Sequence, residues 1–304
     1  MTGVTVGVVV YDTDPRLLER CFASIRAEQE IIGCDIEIIV VDNSSSEPLR
    51  STFEGVTDRW IPAANDGFAV AANRCVAEAS NEYVLLLNPD AALAPRALGE
   101  LVRLHEPGTV LCGWLVTPNQ GLQIDALMFW WSSTHRLLRR SREKRRLLRE
   151  SGDREIVDVS KVSGGATFGL RSELLQHGPY DEDFFLYGED ADFSYRFRSA
   201  GGRLGAVPSA RIEHEAASSQ ESHSRLVEDA RVDAAIRLTA KHLPVALDYL
   251  ARLDLLLVTL AGVLVPGRTS SRLRSTRLGR LSQLRKWGWR RHVKPHRPST
   301  VRSH

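Results

Sequence analysis

Residues 83–93 read YVLLLNPDAAL. The run 84–87 is wholly apolar, and Asn88, Pro89 and Asp90 then arrive together where the chain should turn. A short apolar run closed by turn residues is the pattern of a strand buried on both faces. Two earlier stretches share it: VTVGVVVY (4–11) and DIEIIVVDNSSS (35–46), the second again ending in polar residues. Residues 17–31 have helical spacing between them, and the Ala-rich stretch 69–79 is helix-compatible. Such alternation predicts an α/β fold, a Rossmann-like, mostly parallel sheet flanked by helices. Ligands of these sheets sit outside the carboxyl ends of the strands. Tyr11 and Asp12, residues 42–45 and residues 88–90 are therefore expected along one rim.

The pattern loosens after Leu93. VTPNQG (116–121) reads as a turn, and VSGGATFGLRSEL (162–174) as a glycine turn with a helix start. The basic stretch 136–149 reads either as a mobile acceptor-side loop or as a solvated helix. Residues 225–252 look helical. The apolar segment LLLVTLAGVLV (255–265) would span only about 16 Å as a helix, against roughly 30 Å of hydrocarbon. Extending it backward brings in Asp248, Arg252 and Asp254, so it is expected to dock or lie at an interface rather than cross.

The chain has 304 residues, enough for a substantial core, with a formal charge of +2 that hides an asymmetry. Residues 268–304 carry 12 Lys or Arg and no acid, leaving 28 basic and 38 acidic residues upstream, a net of −10 there. An acidic globule with a basic tail suggests an anionic partner for the tail, lipid headgroups or nucleic acid. Cys21, Cys34, Cys75 and Cys112 show no metal spacing and fit reduced structural thiols in a cytoplasmic compartment. The start, MTGVTVGVVVY, reads as a first strand rather than an export signal.

Several polar constellations carry chemistry. Asp42 could accept hydrogen bonds from a base or ribose, or equally form an Asx turn. NDGFAVAANRC (65–75) joins Asn65, Gly67 and Asn73 through small residues that allow close backbone approach, to a phosphate or to a neighbouring strand. Asn88-Pro89-Asp90 resembles a DxD element with its first acid replaced, and Asp90 could hold a hard cation. DEDFFLYGEDADFSYRFRSAG (181–201) interleaves acids with aromatics, more of them than a solvated face needs. There Asp190, with Glu189 beside it, can begin a helix, as a capping pair or as a general base. His214 follows a short strand between two acids, and is a metal ligand or a structural histidine.

Taken in order, VVYD, VVDNSS, NDGFAVAAN, LLLNPD, VSGGATFGLR and FFLYGEDADFSYR, with His214 beyond, resemble family 2 glycosyltransferases with the GT-A fold, in the bacterial rhamnosyltransferase-like branch. The resemblance covers roughly residues 4 to 216. It implies an inverting transfer from a nucleotide-diphosphate-sugar donor, with rhamnose the sugar suggested, and a divalent cation, Mg2+ or Mn2+. Carried over by position, Asp42 contacts the nucleotide, and Asn65 and Gly67 line the donor pocket. Tyr11, Asp12, Asn73, Asn88 and Gly165 complete the donor side. Asp90 and His214 are the metal ligands, and Asp190 with Glu189 is the catalytic pair. Asp12 stands where many relatives have Asn. Residues 1–240 are expected to form the GT-A domain and 241–304 a helical, basic extension. An apolar segment followed by so much positive charge suits the cytoplasmic face of a membrane, with a glycan or lipid-linked acceptor of the cell envelope. Rival readings remain. A nucleotidyltransferase would usually show a Gly-rich phosphate loop after the first strand, whereas VVYDTDPRLLER has no glycine. Nucleic-acid binding would leave 181–197 without a purpose and is not expected. The third rival is an inactive sugar-nucleotide-binding relative.

Overall fold

Every residue of β1 (Val4–Val10) is buried, so the strand must be covered on both faces, and the rest of the fold follows from that. The computed structural model describes residues 3–44, 46–117, 121–215, 224–264 and 271–294. Ser45, residues 118–120 of the expected turn, and residues 268–270 and 295–304 of the basic tail lie outside the described residues.

β1 pairs in parallel with β2 (Ile36–Asp42) on one side and with β4 (Tyr83–Leu87) on the other, with Val8 opposite both Val40 and Leu87. β3 (Arg59–Pro62) adds to β2. α1 (Pro15–Ile32) packs Leu18, Cys21, Phe22 and Ile25 inward. It starts where the Asp14 carboxylate accepts from Arg16 N–H and stops at Gly33, whose φ of 62° suits glycine. α2 (Glu47–Phe53) and α3 (Phe68–Glu78) complete this half.

The second half begins with β5 (Ala91–Leu93), α4 (Ala97–Leu104), β6 (Thr109–Thr117), β7 (Gly121–Leu122), α5 (Ile124–Leu127), α6 (Ser133–Asp153) and β8 (Val157–Asp158). It closes with β9 (Ala166–Leu170), α7 (Arg171–Gln176), α8 (Glu189–Ser199) and β10 (Arg203–His214). The main strand order is β3-β2-β1-β4-β9-β6-β10-β5. β9 runs against both neighbours and β5 against β10, while β6 and β10 are parallel. Two reversals restore direction, so β10 ends at the same rim as β1 and β4. The stretch 162–174 is thus a strand entered from a glycine turn, with the helix starting only at Arg171.

Among the described residues three helices follow: α9 (Ser224–His242), α10 (Val245–Leu264) and α11 (Ser271–Trp287). Residues 225–252 are therefore two helices, broken around Pro244, whose ring cannot continue a helix from within. The division expected at residue 240 falls inside α9, whose Val232, Ile236 and Ala240 pack on Trp287 of α11. Among the described residues no helix is long and apolar enough to cross a membrane.

Candidate active site

The strand rim opens into a cleft of about 1120 Å3. Tyr11, Asp12, Asn65, Gly67, Asn88, Asp90, Gly165, Glu189, Asp190 and His214 all line it, although they come from six separate stretches of chain. The sheet explains the meeting. β9 begins beside the end of β4, with Ala166 opposite Leu87, so Gly165 faces Asn88. A Cβ on Gly165 would stand 2.2 Å from Asn88 Cγ, so glycine there makes room for the side chain. β10 ends with His214 opposite Ala91, next to Asp90. Gly67 has φ 109°, and a Cβ there would meet the Phe185 carbonyl oxygen at 2.5 Å. Phe68 N–H donates to that same oxygen at 2.8 Å, which stitches the 65–68 turn to the acidic–aromatic segment.

Two expected donor residues are elsewhere. Asp42 is fully buried and does not line the cleft. Its carboxylate accepts from Ser44 N–H and Oγ and from Ser46 N–H, closing an Asx-type turn. Its neighbour Asn43 faces the cleft instead. Asn73 is turned away as well, because its side-chain amide brackets the Tyr180 backbone, donating to the carbonyl and accepting from the N–H at 2.9 Å each. Both are ties within the chain, satisfied by local partners before any ligand arrives.

At one part of the rim His214 is oriented by Gln123. Gln123 Nε2 donates to the His214 carbonyl, which leaves Oε1 as the acceptor 2.9 Å from His214 Nδ1. Nδ1 is thereby the donor to Oε1, and Nε2 lies 3.1 Å from both Asn88 Nδ2 and Asp90 Oδ1. An imidazole nitrogen beside a carboxylate, with the other ring nitrogen held by an acceptor, fits a cation site completed by ligand oxygens. No cluster of three or more His, Cys, Asp or Glu side chains able to hold a metal by themselves occurs among the described residues.

At another part, α8 presents Asp190 in its first turn, where the helix dipole favours negative charge. Lys161 Nζ donates to Asp190 Oδ2 at 2.9 Å, both side chains being largely buried. The loop carrying Lys161 is fastened to α8 because Val162 N–H donates to Ser194 Oγ. Glu189 is buried without a hydrogen-bond partner for Oε2 among the described residues, and burial, then the Asp190 charge, pushes it up to about 8. Lys161 has no local sequence signal, since its partner lies on a different element. Gln123 was hidden in the same way, just beyond an ordinary turn. α6 extends over 133–153, longer than the basic stretch read in the sequence, and turns Arg140 and Lys144 to the cleft. Tyr187 also lines it, at φ 66°, with the Arg231 guanidinium 5.0 Å above its ring.

Residues 5–176 match the family model described as Glycosyl transferase family 2. The chain is 27% identical over 257 residues to an N-acetylglucosaminyl-diphospho-decaprenol L-rhamnosyltransferase of Mycobacterium tuberculosis, covering 72% of this chain and 78% of that protein. It is 25% identical over 183 residues to the low-salt glycan biosynthesis hexosyltransferase Agl10 of Haloferax volcanii, covering 56% of this chain and 55% of that one. Among solved structures, the mannosyltransferase PcManGT of Pyrobaculum calidifontis, in complex with GDP-Man and Mn2+, superposes with a TM-score of 0.56 at 17% identity, over 93% of this chain and 86% of that chain. GalNAc-T7 with UDP, GalNAc and Mn2+ superposes with a TM-score of 0.55 at 16% identity, over 80% of this chain and 52% of that chain. The shared architecture is the GT-A fold.

Proposed function

The chain belongs to glycosyl transferase family 2 and is a glycosyltransferase. On that premise we propose that it transfers a sugar, with rhamnose as the candidate and with inversion at the anomeric carbon, from a nucleotide-diphosphate donor onto a hydroxyl of a lipid-linked or growing envelope glycan. The rhamnosyltransferase named above, whose name gives a decaprenol-linked substrate, supports the sugar and the acceptor class. We place the reaction at the cytoplasmic face of a membrane. The observation that carries the mechanism is the meeting of Asp190 with the Asp90–His214 pair in one cleft.

Asp190 takes the proton of the acceptor hydroxyl as that oxygen bonds to the anomeric carbon. The bond from that carbon to the diphosphate breaks, and its electron pair leaves on the diphosphate. Asp90 and His214 Nε2 would hold a divalent cation, Mg2+ or Mn2+, which neutralises charge growing on the leaving group. Tyr11, Asp12, Asn43, Asn65 and Gly67 form the donor side of the cleft. Lys161 orients the Asp190 carboxylate and balances its charge before substrate enters. Glu189, held largely protonated at neutral pH, is a hydrogen-bond donor to bound substrate rather than a second base. Arg140 and Lys144, one helical turn apart, suit an anionic group at the cleft.

Asp190→Asn should keep donor affinity and lower transfer by about 10²–10⁴-fold, the usual contribution of a general base. Nucleotide-sugars screened with and without Mn2+, by thermal stabilisation and by turnover, name the donor. Near-normal turnover in the Asn variant would remove Asp190 from the role.

A further inference from the structure

α10 is built inside out. Ala246, Leu250, Leu253, Leu257, Leu260 and Ala261 share one face of the helix and all are exposed to solvent, Leu250 and Leu257 by 58% and 56%. The opposite face, which packs on the protein, holds the polar side chains. Asp248 is fully buried and paired with Arg252 at 2.7 Å, and Thr259 is buried beside its own turn. The apolar stripe runs for about 22 Å along the helix. α6 joins it, because Asp254 accepts from Ser133 and Thr134 N–H, and one turn further on Leu137 and Leu138 stand 80% and 73% exposed.

We propose that this stripe lies on an anionic lipid surface, with α10 parallel to the bilayer plane. An apolar face of this extent left in water marks a binding surface. Charge decides the occupant. Trp289, 82% exposed, packs edge-on against Tyr249 of α10, and the Tyr249 hydroxyl donates to the Trp289 carbonyl at 2.8 Å. In the same tail segment, which has no acid, Arg285, Lys286, Arg290 and Lys294 are exposed. Leucines bordered by an interfacial tryptophan and cations are the composition of a helix held at headgroup depth. A second copy paired two-fold over the stripe would set two cationic borders side by side.

The inference deepens the reading of a lipid-linked acceptor, yet its test needs no catalysis, so the two fail separately. The full chain is floated with vesicles of phosphatidylcholine alone and of phosphatidylcholine with phosphatidylglycerol in equal parts. The wild type should float with the anionic vesicles and less with the neutral ones. The double variant Leu250→Glu/Leu257→Glu should lose at least about tenfold in partition, with an unchanged melting temperature and circular dichroism spectrum. Equal flotation of variant and wild type would overturn the proposal, as would a wild type that does not float. A wild-type dimer that the double variant dissociates, without flotation of either, would overturn it in favour of self-association.

Discussion

Two adjacent carboxyl groups on α8 meet opposite surroundings. Asp190 faces Lys161 and a helix N-terminus, whereas Glu189 is buried beside that same charge and sits near 8 instead of its ordinary 4.5. The folded protein therefore holds a proton that the unfolded chain gives up. Glu189 stabilises the fold fully below about 4.5, and that contribution is lost as the pH climbs through about 8. Glu189→Gln has no such loss. Calorimetry at intervals from pH 5 to 8 should show the variant gaining on the wild type steadily across the window, and a constant difference would mean that the carboxyl is ionised throughout. Residue types at strand ends were legible in the sequence, and the cleft holds most of them. Asp42 and Asn73 could not be sorted the same way, since Asp and Asn serve ligands and backbone turns with the same atoms. Only the fold decides which donors reach them first.

At the scale of elements, what was legible were the strands buried on both faces, because a continuous apolar run leaves little else for them to be. β9 was not, because its glycines read as a turn and hid the strand that follows. Glycines at the cleft are demanded by neighbours distant in sequence: Asn88 for Gly165, Phe185 for Gly67. Gly67→Ala puts a side chain at a φ of 109° against a carbonyl that cannot retreat without losing its bond to Phe68. The expected cost is about 1–3 kcal/mol of stability, read by denaturant unfolding, together with weaker donor binding. Full stability in that variant would show the two segments to be independent. The basic run in α6 gave no sign of its partition either. Arg140 and Lys144 face the cleft while Arg139 and Glu143 face a second cavity of about 500 Å3 walled by Trp130, Trp131 and Tyr195.

For the whole molecule, the charge asymmetry was plain in the sequence but its anchoring was not. Asp192 is fully buried on α8, and His242 Nε2 and Arg196 Nε each lie 2.7 Å from one of its oxygens, with Lys241 at 2.6 Å. Burial opposes the charge, but these partners hold the carboxyl down at about 2. Asp192→Asn takes the carboxylate from Arg196, His242 and Lys241, of which Lys241 keeps a second one in Asp181, and should cost about 3–5 kcal/mol in chemical unfolding. A loss below about 1 kcal/mol would mean that the cations find water instead.

That buried carboxylate has a further consequence. Two of its partners, Lys241 and His242, close α9 just before the chain turns into α10. The piece of protein carrying the proposed base is thus held from behind by α9, which leads straight into the helix that would rest on lipid. Trimming the polypeptide at the end of the sheet would expose the rear of the reaction centre, so anchorage and chemistry cannot be inherited as interchangeable parts.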